Sequence, residues 1–110
     1  MIDYSDFEKI DMRVGKIIQV DEFAEAHKPA YKLKIDFGPE IGIKKSSSQI
    51  TKHYKKEELI GRKVTAVVNF TPKQIGPFIS ECLTLGLPDE TGGVILLTPT
   101  HEVPLGGKMF

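Results

Sequence analysis

The sequence holds one cysteine, no tryptophan and three histidines in 110 residues, and each scarcity excludes something. Cys82 has no partner for an intrachain disulfide, which fits a reducing compartment, so a cytoplasmic protein is expected. His27, His53 and His101 are scattered, and no H-x-x-H, C-x-x-C or H-E-x-x-H spacing offers ligands to a metal, so none is expected, nor any cofactor. The G-x-S-x-G elbow and the G-x-x-x-x-G-K-[ST] phosphate loop are missing as well, which favours a protein that is not an enzyme. Cys82 lies beside Leu83, Leu85 and Leu87, where a thiol is normally inert. The longest aliphatic run is Val94-Ile95-Leu96-Leu97, far short of the ~20 apolar residues of a spanning helix, so no membrane insertion is expected. The first six residues are acidic and lack the basic and apolar regions of a secretory signal.

What is present is the composition of one ordinary globular domain, 40% hydrophobic and 27% charged, and residues 1–110 read as a single domain. The net charge of zero hides an asymmetry. Residues 1–30 carry a net −3 and residues 76–110 another −3, while residues 31–75 hold ten bases against four acids, a net +6. A basic middle third can present a local field to a polyanion even when the average charge is nil; a lysine-rich solvated surface would look the same.

Strand patterns dominate. Tyr31 to Phe37 alternates apolar and polar residues without a break, so Lys32 and Lys34 share a solvent face. Met12 to Phe23 places Met12, Val14, Ile18 and Val20 on one parity, with a bend expected near Gly15. A third strand ends near Ile50, and Lys63 to Phe70 is apolar on both parities, as a central strand should be. Ser80–Leu87 and Val94–Thr98 supply further strands across a turn from Pro88 to Gly93. A short helix is expected within Thr51–Ile60, closed by Gly61. Another is expected near the start, where Ser5 and Glu8 have capping-box spacing. The order strand, strand, strand, helix, strand, strand matches a mostly-β, five-stranded OB-fold Greek-key barrel. In such barrels the outer face of strands two and three, with the loops after strands one and four, is the usual oligonucleotide platform.

Four stretches carry a family resemblance: Phe7 to Ile17, Ala30 to Gly38, Glu57 to Val64 and Asn69 to Ile75. They resemble the tRNA-binding domain family, which includes the C-terminal domain of methionyl-tRNA synthetases and the free-standing, export-related CsaA-type chaperones. The serine-rich Lys45-Ser46-Ser47-Ser48-Gln49-Ile50 and the Ser80-Glu81-Cys82-Leu83 stretch are closer to the CsaA type. The resemblance implies an OB fold, a homodimer, affinity for tRNA and a role with unfolded precursor proteins. It also implies that Asn69, Lys73, Gln74, Ser80 and Glu81 lie near an RNA-facing loop.

From the residues themselves, Lys32 and Lys34 suit backbone phosphates. On the third strand one parity holds Lys44, Ser46 and Ser48, the other Lys45, Ser47 and Gln49. If Ile41 and Ile43 face the core, the Lys44 set faces outward, where hydroxyls can meet phosphate or 2′-OH groups. The alternative is that these polar residues merely end a strand and cap the next helix. Phe78 either stacks on an unpaired base or is buried, and with Phe23 it is a candidate for holding unfolded polypeptide in an apolar groove. Lys52-His53-Tyr54-Lys55-Lys56 reads as a solvated helix face offset by Glu57 and Glu58. The apolar tail, with Leu105, Met109 and Phe110, is expected to meet Tyr4, Phe7 and Ile10 at a dimer interface formed by an N-terminal helix (1–11) and a C-terminal extension (99–110), or to fold back on its own monomer. The expected function is therefore non-enzymatic, homodimeric tRNA binding by shape and phosphate contact. A chaperone for exported precursor proteins is the alternative, and docking on an aminoacyl-tRNA synthetase a third.

Overall fold

The computed structural model describes residues 1–110. In chain order the elements are α1 (Tyr4–Glu8), β1 (Met12–Glu22), β2 (Tyr31–Asp36), β3 (Ile43–Ser48), α2 (Lys56–Leu59), β4 (Lys63–Val67), β5 (Lys73–Ile75), β6 (Phe78–Ser80), β7 (Leu83–Thr84), β8 (Gly86–Pro88) and β9 (Val94–Leu96). Five strands form one antiparallel sheet in the order β3-β2-β1-β4-β7, and two small hairpins, β5-β6 and β8-β9, flank it. No helix is long and apolar enough to cross a membrane.

The length of β1 lets it serve two partners. Met12–Lys16 pairs with β4 and Lys16–Glu22 with β2. The turn from one to the other is a bulge at Ile18, where pairing jumps from Ile17 opposite Ile35 to Gln19 opposite Lys34. The bend is therefore three residues beyond Gly15, and Ile18 is exposed while Ile17 and Val20 point inward. The single parity expected for Met12, Val14, Ile18 and Val20 breaks because the extra residue resets the alternation. Gly15 has a different use. A Cβ there would lie 2.5 Å from Ile35 Cγ2 and 2.7 Å from Phe37 Cδ1, so only hydrogen lets β1 cross over the core.

The sheet curls until its ends meet. The Glu81 N–H donates to the Lys45 carbonyl (2.7 Å), the Lys45 N–H to Glu81 Oε1 (2.9 Å) and the Ser47 N–H to Ser80 Oγ (3.2 Å), closing β3 against the chain entering β7. This is the five-stranded OB barrel, with α2 between β3 and β4. Its interior holds Ile17, Leu33, Ile35, Phe37, Leu59 and Val64, all essentially inaccessible. Each such side chain contributes about 2–3 kcal/mol relative to exposure.

Several local expectations change. The N-cap of α1 is Asp3, with Asp6 accepting the Asp3 N–H (3.1 Å), two residues ahead of the Ser5–Glu8 box. The helix within Thr51–Ile60 is the single turn α2, and Lys52 and His53 precede it in a turn. Ser80–Leu87 divides among β6, β7 and β8, because its parts pair with β5, β4 and β9 in succession. The Phe70–Phe78 loop contains the β5-β6 hairpin, in which Ile75 pairs with Phe78 across Gly76-Pro77.

Candidate nucleic-acid interface

On β2, Tyr31, Leu33 and Ile35 are buried and the alternation sends Lys32 and Lys34 outward. Across the β2–β3 pairing, Lys32 faces Ser47 and Lys34 faces Lys45, so the outer wall of β3 is Ile43, Lys45 and Ser47. This reverses the expected parity. Ser46 is 0% and Ser48 7% exposed, and Ile43, assumed inward, is 57% exposed. The reason is the barrel seam: Ser46 Oγ lies 2.9 Å from Thr84 Oγ1 and 3.4 Å from Ser48 Oγ, so small hydroxyls satisfy one another where the strands approach closely. Ser46 and Ser48 are thus withdrawn from any ligand, and Lys44 shares their parity and is half-buried.

The lysines of this wall form no ion pairs. The molecule's five ion pairs are Lys9–Asp6, Arg13–Asp11, Arg13–Glu40, His53–Asp89 and Lys63–Glu102, so no carboxylate lies within 4.0 Å of Lys32, Lys34, Lys44, Lys45 or Lys73. Beside the wall opens a cleft of about 330 Å³, lined by His27 and Lys28 of the β1–β2 loop, Ser47 and Gln49 at the end of β3, and Lys73 and Gln74 of β5. Nothing in the sequence pattern marks His27 and Lys28 as a pair at this cleft. Lys28 lies in an acidic third of the chain, and only the loop's place at the mouth of the barrel brings the pair to the cleft.

Other expected contacts are otherwise engaged. Asn69 Oδ1 accepts the Asp11 N–H (3.0 Å) and its Nδ2 donates to the Lys9 carbonyl (2.8 Å), tying α1 to the end of β4. Ser80 and Glu81 fasten the seam, and Gln74 bonds across its own turn to the Gly76 carbonyl. Phe23 is 4% exposed, which removes it as an open peptide-binding face, and half-buried Phe78 stands edge-on to it with ring centroids 5.3 Å apart. Burial pushes the Cys82 thiol up to about 12, with a Ser46 hydrogen bond opposing the shift.

Lys52 and His53 are not a free patch. Lys52 Nζ donates to the Thr91 carbonyl (3.0 Å), and His53 bonds Asp89, fixing the β8-β9 turn. Hydrogen bonds from Thr91 Oγ1 and from the Thr91 and Gly93 N–H groups hold the Asp89 carboxyl down at about 2.

At the opposite end, Tyr4, Phe7, Ile10, Met109 and Phe110 line one cavity of about 270 Å³. Leu105 stands apart, its carbonyl against Gly38. An apolar groove of about 470 Å³ continues from Met109 and Phe110 past Val14, Leu97, Pro99 and Val103.

The profile of the family described as "Putative tRNA binding domain" matches residues 12–108. The chain belongs to the tRNA-binding domain family. Within the family it is similar to the CsaA chaperone protein of Picrophilus torridus, whose crystal structure shares 60% identity and a TM-score of 0.94 with full coverage of both chains. The CsaA chaperone of Bacillus anthracis is 49% identical, again at a TM-score of 0.94, over 100% of this chain and 99% of the other. The methionine–tRNA ligase of Pyrococcus abyssi is 39% identical over 108 residues, 98% of this chain, yet the chain spans only 14% of that ligase's length.

Proposed function

We propose that the chain is a non-enzymatic, homodimeric module that binds tRNA by shape and phosphate contact, with little reading of bases. The observation carrying this reading is the outer wall of Lys32, Lys34 and Lys45, without carboxylate partners and continuous with the cleft rimmed by His27, Lys28 and Lys73. Lysines in that setting meet backbone phosphates as flexible point charges, and Ser47 and Gln49 at the cleft can bond 2′-OH groups or exposed base edges. Residues 1–110 act as one tRNA-binding unit, and residues 1–11 and 99–110 supply the dimer contact through Tyr4, Phe7, Ile10, Met109 and Phe110. A twofold axis there sets two cationic walls in a fixed relation, matching a folded RNA larger than one barrel.

Titration of unfractionated tRNA at several salt concentrations tests the proposal. Affinity should fall steeply with salt, by about 0.7–0.9 in logarithmic slope per phosphate neutralised. An affinity indifferent to salt sinks the phosphate mechanism.

The 470 Å³ apolar groove and the likeness to CsaA chaperones support a second role, in which unfolded precursor polypeptide is held beside the dimer interface. Protection of an unrelated denatured protein from aggregation should then weaken in Phe110→Ser. Equal protection by that variant removes the groove from the account.

A further inference from the structure

Phe23 shares the strand parity of Asp21, which pairs with Lys32 on the outward side of the sheet. Yet it is buried, and it stands outside the apolar cluster that fills the barrel. Phe78 of the β5-β6 hairpin meets it edge-on, the rings inclined at 61°. Lys32 Nζ is 5.6 Å from the centroid of Phe23, and Lys45 Nζ is 5.5 Å from that of Phe78. Two aromatic rings in mutual contact thus sit beneath two ammonium groups from neighbouring strands.

An aromatic face carries negative quadrupolar density and attracts an ammonium within about 6 Å. It differs from a carboxylate in what it leaves behind. A carboxylate that orients a lysine also cancels its charge, whereas a ring orients the ammonium and leaves the full charge for an anion. We propose that Phe23 and Phe78 are positioning residues of the cationic wall, restricting Lys32 and Lys45 in advance so that phosphate binding orders them at lower entropic cost. Both rings then belong to the support of the wall rather than to a base-stacking surface or a peptide groove. The proposal rests on the RNA reading of that wall.

The test compares Phe78→Leu, Phe78→Tyr, Lys32→Met, Lys45→Met and the Phe78→Leu/Lys45→Met double variant for binding of unfractionated tRNA across a salt series. Lys45→Met should weaken binding and reduce the salt slope by about one phosphate. Phe78→Leu, which keeps an apolar side chain without the quadrupole, should lose about two- to fivefold, and Phe78→Tyr should bind like the native protein. The double variant should bind no more weakly than Lys45→Met alone. Native-like binding by Phe78→Leu, or losses that multiply in the double variant, overturns the positioning role and leaves the RNA reading standing. Native-like binding by both Lys45→Met and Lys32→Met overturns the RNA reading itself. Without RNA, the Lys45 ε-methylene protons should resonate upfield through the Phe78 ring current, an effect lost in Phe78→Leu and retained in Phe78→Tyr. Ordinary shifts in the native protein refute the arrangement whatever RNA does.

Discussion

Gly15 is a residue at which the barrel leaves no room for a side chain. Its backbone crosses the core against Ile35 and Phe37 at distances that no methyl group can share. Gly15→Ala should cost about 1–3 kcal/mol through overpacking, read as a lower midpoint in denaturant at unchanged slope. Cys82 offers a second measurement at this scale. Buried and with its thiol raised to about 12, it should resist a thiol-specific reagent at pH 8 in the native protein and react promptly once unfolded. Prompt reaction in the native state would show the seam beside it to be open. Residue by residue, the sequence was most informative where chemistry left one option: the alternation of Tyr31 to Phe37 fixed which lysines face out. It was least informative for Ser46 and Ser48, whose hydroxyls suit solvent and a satisfied interior equally well.

Elements became legible in proportion to their apolar content. Strand β2 carries a hydrophobic residue at every second position, so its register has a single solution. Strand β3 carries one isoleucine and five polar residues, and its facing was set by a partner more than 30 residues away, Thr84, rather than by its own pattern. The β5-β6 hairpin is three residues a side, and Pro72, Gly76 and Pro77 around it read as loop. The β8-β9 turn gives a prediction of its own. Asp89 holds that turn as a carboxylate with a pKa near 2, below the ordinary value of 3.8. Its contribution is therefore complete above about pH 4 and lost as pH falls towards 2. Protection of the Thr91 and Gly93 amides, measured as exchange relative to the intrinsic rate at each pH, should fall across that window, and in Asp89→Asn should be low at every pH.

At the scale of the whole molecule, a chain with no net charge presents a cationic wall because folding sorts charge that the sequence only partly sorts. The central +6 stretch indicated the region, but Lys44 turns away, Lys52 and Lys63 are engaged with Thr91 and Glu102, and Lys28 joins from outside it. Replacing Lys32, Lys34 and Lys45 together by methionine should lower the salt slope of tRNA binding by about three phosphates, whereas replacing Lys55 and Lys56 should leave it unchanged. Equal effects from the two sets would argue for diffuse attraction without a defined wall. The exposed Tyr4 and Phe110 yield a parallel expectation from the proposed dimer contact: the native protein should sediment as a dimer, and Tyr4→Asp with Phe110→Asp should sediment as a monomer while the far-ultraviolet dichroism stays the same.

The line along which the cylinder is fastened passes directly under this surface. Lys45 belongs to the cationic wall by its side chain and to the closure by its backbone, donating to Glu81 and accepting from it. The position of the Lys45 ammonium is consequently tied to the closure of the cylinder through the residue's own backbone. Loosening at Glu81 would shift the Lys45 backbone and with it one of the two cations, Lys34 and Lys45, that stand opposite each other on the wall.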